Sequence, residues 1–331
     1  MNVIKHSQWK SFTWLVKREY WQNRGLFLWA PILIAIGFFC MFLFVEFVGK
    51  EVMNPDHRAW MQREFGMSEA SQMMVRSTRI VVTDMSRFIL QASLFISALF
   101  SSYYLFGSLS NERKDRSILF WKSMPVSDTL EVLSKLVFPL LISPLLTLVV
   151  ATLGYLLAAL LVATATLASS QDLFAAVLYN ESLYRLPLQY LTLLPFYMAW
   201  SLPCVGWFLL VSAWSKSRVF PWAIGMPMIL SLFIGFAIHP NGANTAGMKF
   251  ITRVLLRITS ANLPGSWVVQ VPPDLLQKFD PKLELGLFSP HVLTESAWYC
   301  VHDFSLLFGA MAGIIMIILA IRRRRYSDVL A

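Results

Sequence analysis

Long apolar runs constrain the fold of this chain more than any other feature of its sequence. A bilayer crossing needs about 20 apolar residues in a helix, and residues 26–47, 136–168 and 188–213 each supply them. The chain has 331 residues, of which 56% are hydrophobic and 14% charged. Because every backbone polar group inside lipid needs an internal hydrogen bond, helices are expected in these runs. The sequence therefore predicts an all-α membrane protein.

The pattern of apolar and polar stretches predicts six transmembrane helices, which form one domain over residues 26–331. The expected spans are residues 26–47, 88–110, 136–168, 188–213, 220–238 and 298–321. Two large outer loops are expected between them, over residues 48–87 and 239–297, and the first is expected to hold one or two short helices. Within the second loop, Lys249, Arg253 and Arg257 recur every four residues opposite apolar positions, which predicts a basic amphipathic helix. Prolines from Pro264 onward predict irregular structure up to the last span.

Residues 1–25 precede the first span and have the pattern of an interfacial helix. Trp9, Phe12, Thr13, Val16 and Tyr20 share one helical stripe, while the basic residues lie largely elsewhere. This arrangement suits a helix that lies along the inner surface of a membrane. A soluble helix that packs on the central loop is the alternative.

The distribution of charge predicts the orientation. If both termini and the loop between the second and third spans face the cytoplasm, that side holds more than half of the 28 basic residues but fewer than half of the 19 acidic ones. An excess of Lys and Arg on the cytoplasmic side is typical of multi-pass membrane proteins. The net charge of +9 is thus explained by topology, and no nucleic-acid partner is expected.

A polar island from Asn111 to Lys135 separates two of the apolar runs. Its first part is rich in helix formers, Pro125 disfavours helical geometry just before it, and Ser127 or Asp128 can cap a second helix with Glu131 in its first turn. The island is therefore expected to form two helices with a break between them on the cytoplasmic side. Its mixture of charged and aromatic residues suits docking on another protein.

This island resembles the first cytoplasmic loop of ABC type-2 permeases, the membrane subunits of one class of ATP-driven exporters. The resemblance lies in Glu112-Arg113-Lys114, the aromatic pair Phe120-Trp121, and Lys122-Ser123-Met124-Pro125-Val126-Ser127. Met124 stands where a Leu is commoner in that family. The resemblance implies that the loop is a coupling helix that contacts a separate ATPase subunit. The implied contact residues are Glu112, Arg113, Lys114, Arg116, Phe120, Trp121, Lys122, Pro125 and Ser127.

The same resemblance implies the other partners and the location. It implies a second permease subunit, identical or related, in the cytoplasmic (inner) membrane, with membrane lipid around both. ATP would be bound by the ATPase subunit, so no cofactor is expected in this chain. No Gly-x-x-x-x-Gly-Lys-Ser/Thr phosphate loop occurs in the sequence. The chain is therefore expected to be a non-catalytic subunit, with no metal and no catalytic residue.

Polar and aromatic side chains in the second and fourth spans have two interpretations. They either form hydrogen bonds and close contacts between helices, or they line a path for the substrate. Packing is the commoner role of such residues. The residues concerned are Gln91, Ser97, Ser101, Tyr104, Tyr197 and Trp200.

Two other classes of protein remain open from the sequence. A membrane-embedded transferase would have its site in the loop 239–297, where Asp274, Asp280, Glu284, His291 and Glu295 occur without a recognisable spacing. A membrane sensor or scaffold would carry a sizeable soluble domain, for which no segment is long enough. His302 and Asp303 are expected near the outer interface, where a structural role is the commoner one. Three scattered cysteines predict free thiols.

Overall fold

A computed structural model of the chain describes residues 2–52, 60, 63–64, 67–115, 126–167, 171–215, 218–238, 246–279 and 289–327. The regular structure in these residues is helical throughout. In chain order the α-helices are α1 (Asn2–Gln22), α2 (Ala30–Val52), α3 (Met67–Ser108), α4 (Ser110–Lys114), α5 (Asp128–Val137), α6 (Ser143–Leu167), α7 (Gln171–Leu178), α8 (Glu181–Trp214), α9 (Met226–Ile238), α10 (Ala246–Ser260), α11 (Pro273–Phe279), α12 (Pro290–His302) and α13 (Ser305–Ser327).

Five helical stretches in the described residues are long and apolar enough to cross a membrane. They are Gly25–Phe44, Ser68–Lys114, Asp128–Thr164, Asp172–Trp214 and Ser305–Tyr326. A sixth apolar stretch, Pro221–Ile234, is shorter. The all-helical prediction is thereby confirmed, and the chain has the character of a multi-pass membrane protein.

The chain divides into two compact units. The first comprises Met1–Arg24, Phe95–Pro144 and Leu193–Ala331, and the second comprises Gly25–Leu94 and Leu145–Thr192. In the first unit α8 and α13 approach closely, because a Cβ atom built on Gly313 would lie 2.4 Å from the Leu202 carbonyl carbon. In the second unit the ring of Phe38 meets that of Phe88 edge to face, and the Tyr155 hydroxyl donates to the Leu183 carbonyl.

Two prolines coincide with widened helical turns. Pro139 lies in a π-helical turn, Phe138–Ile142, that joins α5 to α6. Pro221 begins another, Pro221–Gly225, that leads into α9. Proline has no N–H to donate and its ring crowds the preceding turn, so the regular hydrogen-bond pattern changes there while the helix continues.

Within the predicted outer loop 48–87, the described residues are helical and belong to longer helices than the one or two short ones expected. Helix α2 continues to Val52, and α3 begins at Met67 rather than near residue 88. Hydropathy missed this extension because it is polar overall, although Ala70, Val82 and Ser86 form a buried stripe along it. Burial on one face is sufficient to hold a polar segment as helix.

The segment before the last span is also more regular than predicted. Pro273 and Pro290 are the first residues of α11 and α12, a position that proline favours since its missing N–H is not needed there. The Ser289 side chain caps α12 by accepting from the Val292 N–H. Phe304, at a left-handed φ of 54°, separates α12 from α13. The last apolar helix therefore begins at Ser305 rather than near residue 298.

Helix α1 packs against α5, and its buried face differs from the predicted apolar stripe. Leu15, Arg18 and Glu19 are buried, whereas Trp9 is 68% exposed. Two further tryptophans, Trp14 and Trp21, are exposed as well. Arg18 was expected away from the apolar stripe, and the structure buries it among charged partners.

Candidate functional site

The two helices that flank the central loop give the candidate site its frame. Helix α4 ends at Lys114, and α5 begins at Asp128. Between them, Arg116, Phe120, Trp121, Lys122 and Pro125 lie outside the described residues, so their predicted contacts with an ATPase stay a prediction.

The start of α5 agrees with the predicted cap. The Ser127 backbone is extended, and its hydroxyl accepts a hydrogen bond from the Leu130 N–H at 3.3 Å. Asp128 and Glu131 occupy the first turn, where negative charge is favourable next to the helix dipole. The second of the two helices predicted for the polar island is thus confirmed, together with its capping residue.

A buried group of charged side chains joins α4 and α5 to both ends of the chain. Glu19 of α1 lies at its centre: one carboxylate oxygen is 2.7 Å from Lys135 Nζ and 2.7 Å from Arg18 Nη2. The other accepts a hydrogen bond of 2.8 Å from the Tyr104 hydroxyl. We call the whole group the ionic cluster; it comprises Arg18, Glu19, Glu112, Asp128, Glu131, Lys135 and Arg324.

Glu112 and Arg324 extend the ionic cluster to α4 and α13. Glu112 pairs with Lys135 at 2.8 Å and with Arg324 at 3.1 Å. Arg324 also pairs with Glu131 at 2.6 Å, and its Nε lies 3.6 Å from Asp128. Ion pairs therefore hold the two helices that flank the loop together with α1 and α13, which are far from them in the sequence.

Two buried members of the ionic cluster, Glu19 and Arg18, keep their charges. Burial alone would raise the pKa of Glu19, but Lys135 and Arg18 outweigh it and lower that pKa to about 2. Burial likewise opposes the charge on Arg18, and Glu19 with the other carboxylates raises its pKa nonetheless. Removing one member of such a group leaves a buried charge without compensation.

Arg113 has partners inside the protein as well. Its guanidinium donates to the carbonyl oxygens of Ala213 at 2.7 Å and Ser215 at 2.9 Å, and also to that of Ser212. These carbonyls lie at the end of α8, where helical partners run out. Arg113 thus caps α8 and attaches α4 to it. Three residues of α4 were predicted to contact the ATPase, namely Glu112, Arg113 and Lys114, and among them only Lys114 has an exposed side chain.

The residues predicted either to pack or to line a substrate path form hydrogen bonds between segments in this structure. The Ser143 hydroxyl oxygen accepts a hydrogen bond of 2.9 Å from the Ser101 hydroxyl, and it lies 2.8 Å from the Ser97 hydroxyl oxygen. The Tyr190 hydroxyl donates to Gln91. These contacts follow the packing interpretation.

The other predicted path residues are buried in the same manner. Tyr197 donates to the Asn262 carbonyl at 3.0 Å, and the Trp200 N–H donates to the Ser266 hydroxyl at 3.1 Å. Tyr104 belongs to the ionic cluster through Glu19. A role of these residues in a substrate path stays a prediction.

Sequence reasoning missed Glu19, Glu131 and Arg324 as members of one site. One signal was present: Glu19 is the only acidic residue before Glu46. Arg324 was interpreted only as one of four charges that stop the last span. Hydropathy does not distinguish a buried arginine from an exposed one.

The described residues contain no group of three or more His, Cys, Asp or Glu side chains that could hold a metal ion. In the described part of the predicted transferase site, Asp274 and His291 are exposed. Comparison of the chain with protein-family models, curated proteins and solved structures finds no match to any of them.

Proposed function

We propose that this chain is the permease subunit of an ATP-driven ABC transporter and exports a substrate across the cytoplasmic membrane with a separate ATPase subunit. The proposal includes six spans, cytoplasmic termini, and a second permease subunit, identical or related. ATP binding would draw the ATPase pair together, and the central loop would pass that movement to the spans.

The ionic cluster is the observation that carries the proposal. A loop that transmits force to membrane helices needs a base that keeps its shape under load. Glu112 on one side of the loop and Glu131 on the other share Arg18 of α1 and Arg324 of α13 as partners. Lys135 joins the same group through Glu112 and through Glu19 of α1. Both flanks of the loop therefore have one common support.

Two further features support the finer topology. The chain is helical over residues 219–238 without a break, and a helix of that length rises about 30 Å, the thickness of the hydrocarbon core. We take this stretch as the span that completes the six, the fifth in chain order. Trp9, Trp14 and Trp21 of α1 are exposed, and tryptophan favours the membrane interface. We accordingly place α1 along the inner surface.

Co-purification with the ATPase tests the proposal. Trp121→Ala should insert and fold normally but bind the ATPase at least ~30-fold more weakly, since truncating a buried aromatic anchor of an interface typically costs about 2 kcal/mol or more. Phe120→Asp should lose both binding and export. Trp14→Ala, the same truncation of an exposed tryptophan outside the loop, is the matched control and should bind normally.

Two results would contradict the proposal. One is normal ATPase binding and export by both loop variants. The other is robust ATP hydrolysis by the purified chain alone, with contaminating ATPases excluded, because the proposal assigns hydrolysis to the partner. The reading frames next to that of this chain are the first to be searched for the ATPase that this experiment needs.

A further inference from the structure

A cavity of about 590 Å³ opens in the first unit among α8, α10 and α13. Its walls are largely apolar, with Phe250 and Val254 from α10 and Phe308 and Met316 from α13, and Arg253 and Asp303 also line it. Arg257, also of α10, lines the same cavity. The cavity does not include any member of the ionic cluster.

Arg257 is a buried cation with spare donors. The residue is only 8% exposed, and its guanidinium carbon lies 3.8 Å from the centroid of a Trp200 ring. Nη1 donates to the Ser305 carbonyl. Nε and Nη2 are buried and have no hydrogen-bond partner in the described part of the chain.

No carboxylate of the described residues forms an ion pair with Arg257. Burial lowers its pKa to about 10, so the guanidinium still carries its charge at neutral pH. A buried charge without a counter-charge is costly, and proteins normally supply one. An anion from outside the chain would supply it here.

Gly309 fixes the position of this cation. A Cβ atom built on Gly309 would lie 2.2 Å from Arg257 Cζ and 2.3 Å from Nη2, so the guanidinium rests on the backbone of α13 at a place that only glycine leaves free. The Nε–Nη2 edge is the side of a guanidinium that binds a carboxylate or phosphate through two parallel hydrogen bonds.

We propose that this cavity binds an amphipathic anion, whose carboxylate or phosphate group pairs with the Nε–Nη2 edge of Arg257 and whose apolar body lies against Phe250, Val254 and Phe308. The site is separate from the proposed coupling loop and does not depend on the transport proposal. Its ligand is either an acidic membrane lipid or a free anion with an apolar chain, since both present the same two parts.

Equilibrium dialysis of radiolabelled dodecyl phosphate against the purified full chain in phosphatidylcholine nanodiscs tests the site, with protein-free nanodiscs to subtract partitioning. Arg257→Gln should weaken binding at least ~10-fold, because two charge-assisted hydrogen bonds are lost. Arg257→Lys should weaken it less, since charge remains without the fork. Arg322→Gln, which removes an exposed arginine of α13, should bind like the unaltered chain.

Gly309→Ala provides a second variant that keeps Arg257 but displaces its guanidinium, and it should also weaken binding. Inorganic phosphate, which lacks the apolar body, should bind far more weakly than dodecyl phosphate. Phosphatidylglycerol added to the nanodiscs separates the two sources: competition with dodecyl phosphate assigns the site to a lipid, and no competition assigns it to a free anion.

Three results would overturn the proposal. The first is that dodecyl phosphate shows no saturable binding, and the second is that inorganic phosphate binds equally well. The third is that a folded Arg257 variant (Arg257→Gln or Arg257→Lys) and the separate Gly309→Ala variant both bind like the unaltered chain. A variant is taken as folded when it elutes from a size-exclusion column as a single species of normal size. If neither Arg257 variant folds, the binding measured for Gly309→Ala tests the proposal.

Discussion

Lys135 Nζ and a carboxylate oxygen of Glu19 lie 2.7 Å apart, although 116 positions of sequence separate the two residues. Both side chains are almost wholly buried. The contact joins the first helix of the chain to the helix that follows the central loop. The stability of the loop's base therefore depends on the first twenty residues of the protein as much as on the loop itself.

Lys135→Met should destabilise the protein by about 3–5 kcal/mol, because Glu19 and Glu112 lose a shared buried cation. The double variant Glu19→Gln/Lys135→Met should be less destabilised than the sum of its single variants, with a coupling energy of about 1–3 kcal/mol. The free energy of unfolding, measured by SDS titration of the purified chain, checks both values. Strict additivity would contradict the contact.

The lowered pKa of Glu19 predicts a specific pH dependence. Its pKa falls from 4.5 to about 2 on folding, so the unfolded chain takes up this proton more readily than the folded one. The stabilisation is present above pH 4.5 and is lost as the pH falls toward 2. The free-energy difference between the unaltered chain and Glu19→Gln should be constant from neutral pH to about 5 and shrink below it.

Arg113→Gln should reduce stability by about 1–3 kcal/mol, since carbonyls at the end of α8 lose a charged donor. Lys114→Gln, a change at the neighbouring exposed position, should cost less stability than Arg113→Gln and act chiefly on the salt dependence of ATPase association. Thermal unfolding and association kinetics of both variants separate the two roles. Equal stability of the two variants would contradict the capping role of Arg113.

Gly313→Ala should destabilise the chain by about 1–3 kcal/mol through overpacking. Its new methyl group would meet the backbone of α8, which is 2.4 to 2.7 Å from the Cβ position, at Leu202 and Pro203. Gly37→Ala is the matched control, because nothing lies within 4 Å of the corresponding Cβ, and alanine is the better helix former. A gain in melting temperature for Gly313→Ala would show that the helices are farther apart.

Cysteine labelling tests the orientation in a background that lacks Cys40, Cys204 and Cys300. In intact cells, Ser127→Cys and Ser217→Cys should be shielded from an impermeant thiol reagent, and Ser68→Cys should react, because Lys and Arg are concentrated on the predicted cytoplasmic side. All three should react once the membrane is permeabilised. Labelling of Ser127→Cys from outside would reverse the proposed topology.

Much of the fold follows from the sequence, because long apolar helices and capped helix ends depend on local pattern. The first four predicted spans overlap long apolar helical stretches, although the bounds differ, and Ser127 caps α5 as expected. The predicted helix bounds differ most from the structure where a segment is polar on average but buried on one face. The start of α3 at Met67 is of this kind, with Ala70, Val82 and Ser86 buried along it. The helix that begins at Pro273 is not, because it has no buried residue.

The candidate site was predictable only in part. Local sequence identified the loop and its flanking helices, but the partners of Glu112 come from residues 18, 135 and 324. Such pairings depend on how distant helices meet, and one sequence contains no record of that. Arg257 was likewise predicted to lie on a basic surface, whereas the absence of a side chain at Gly309 allows it to be buried.

Helix α13 is one uninterrupted rod from Ser305 to Ser327. Near one end Gly309 supports the guanidinium of Arg257, and near the other Arg324 holds Glu112 and Glu131. These two positions are about 22 Å apart at 1.5 Å per residue. Since an α-helix resists stretching along its axis, a shift of α13 past α8 would displace both arginine contacts by the same distance at the same moment.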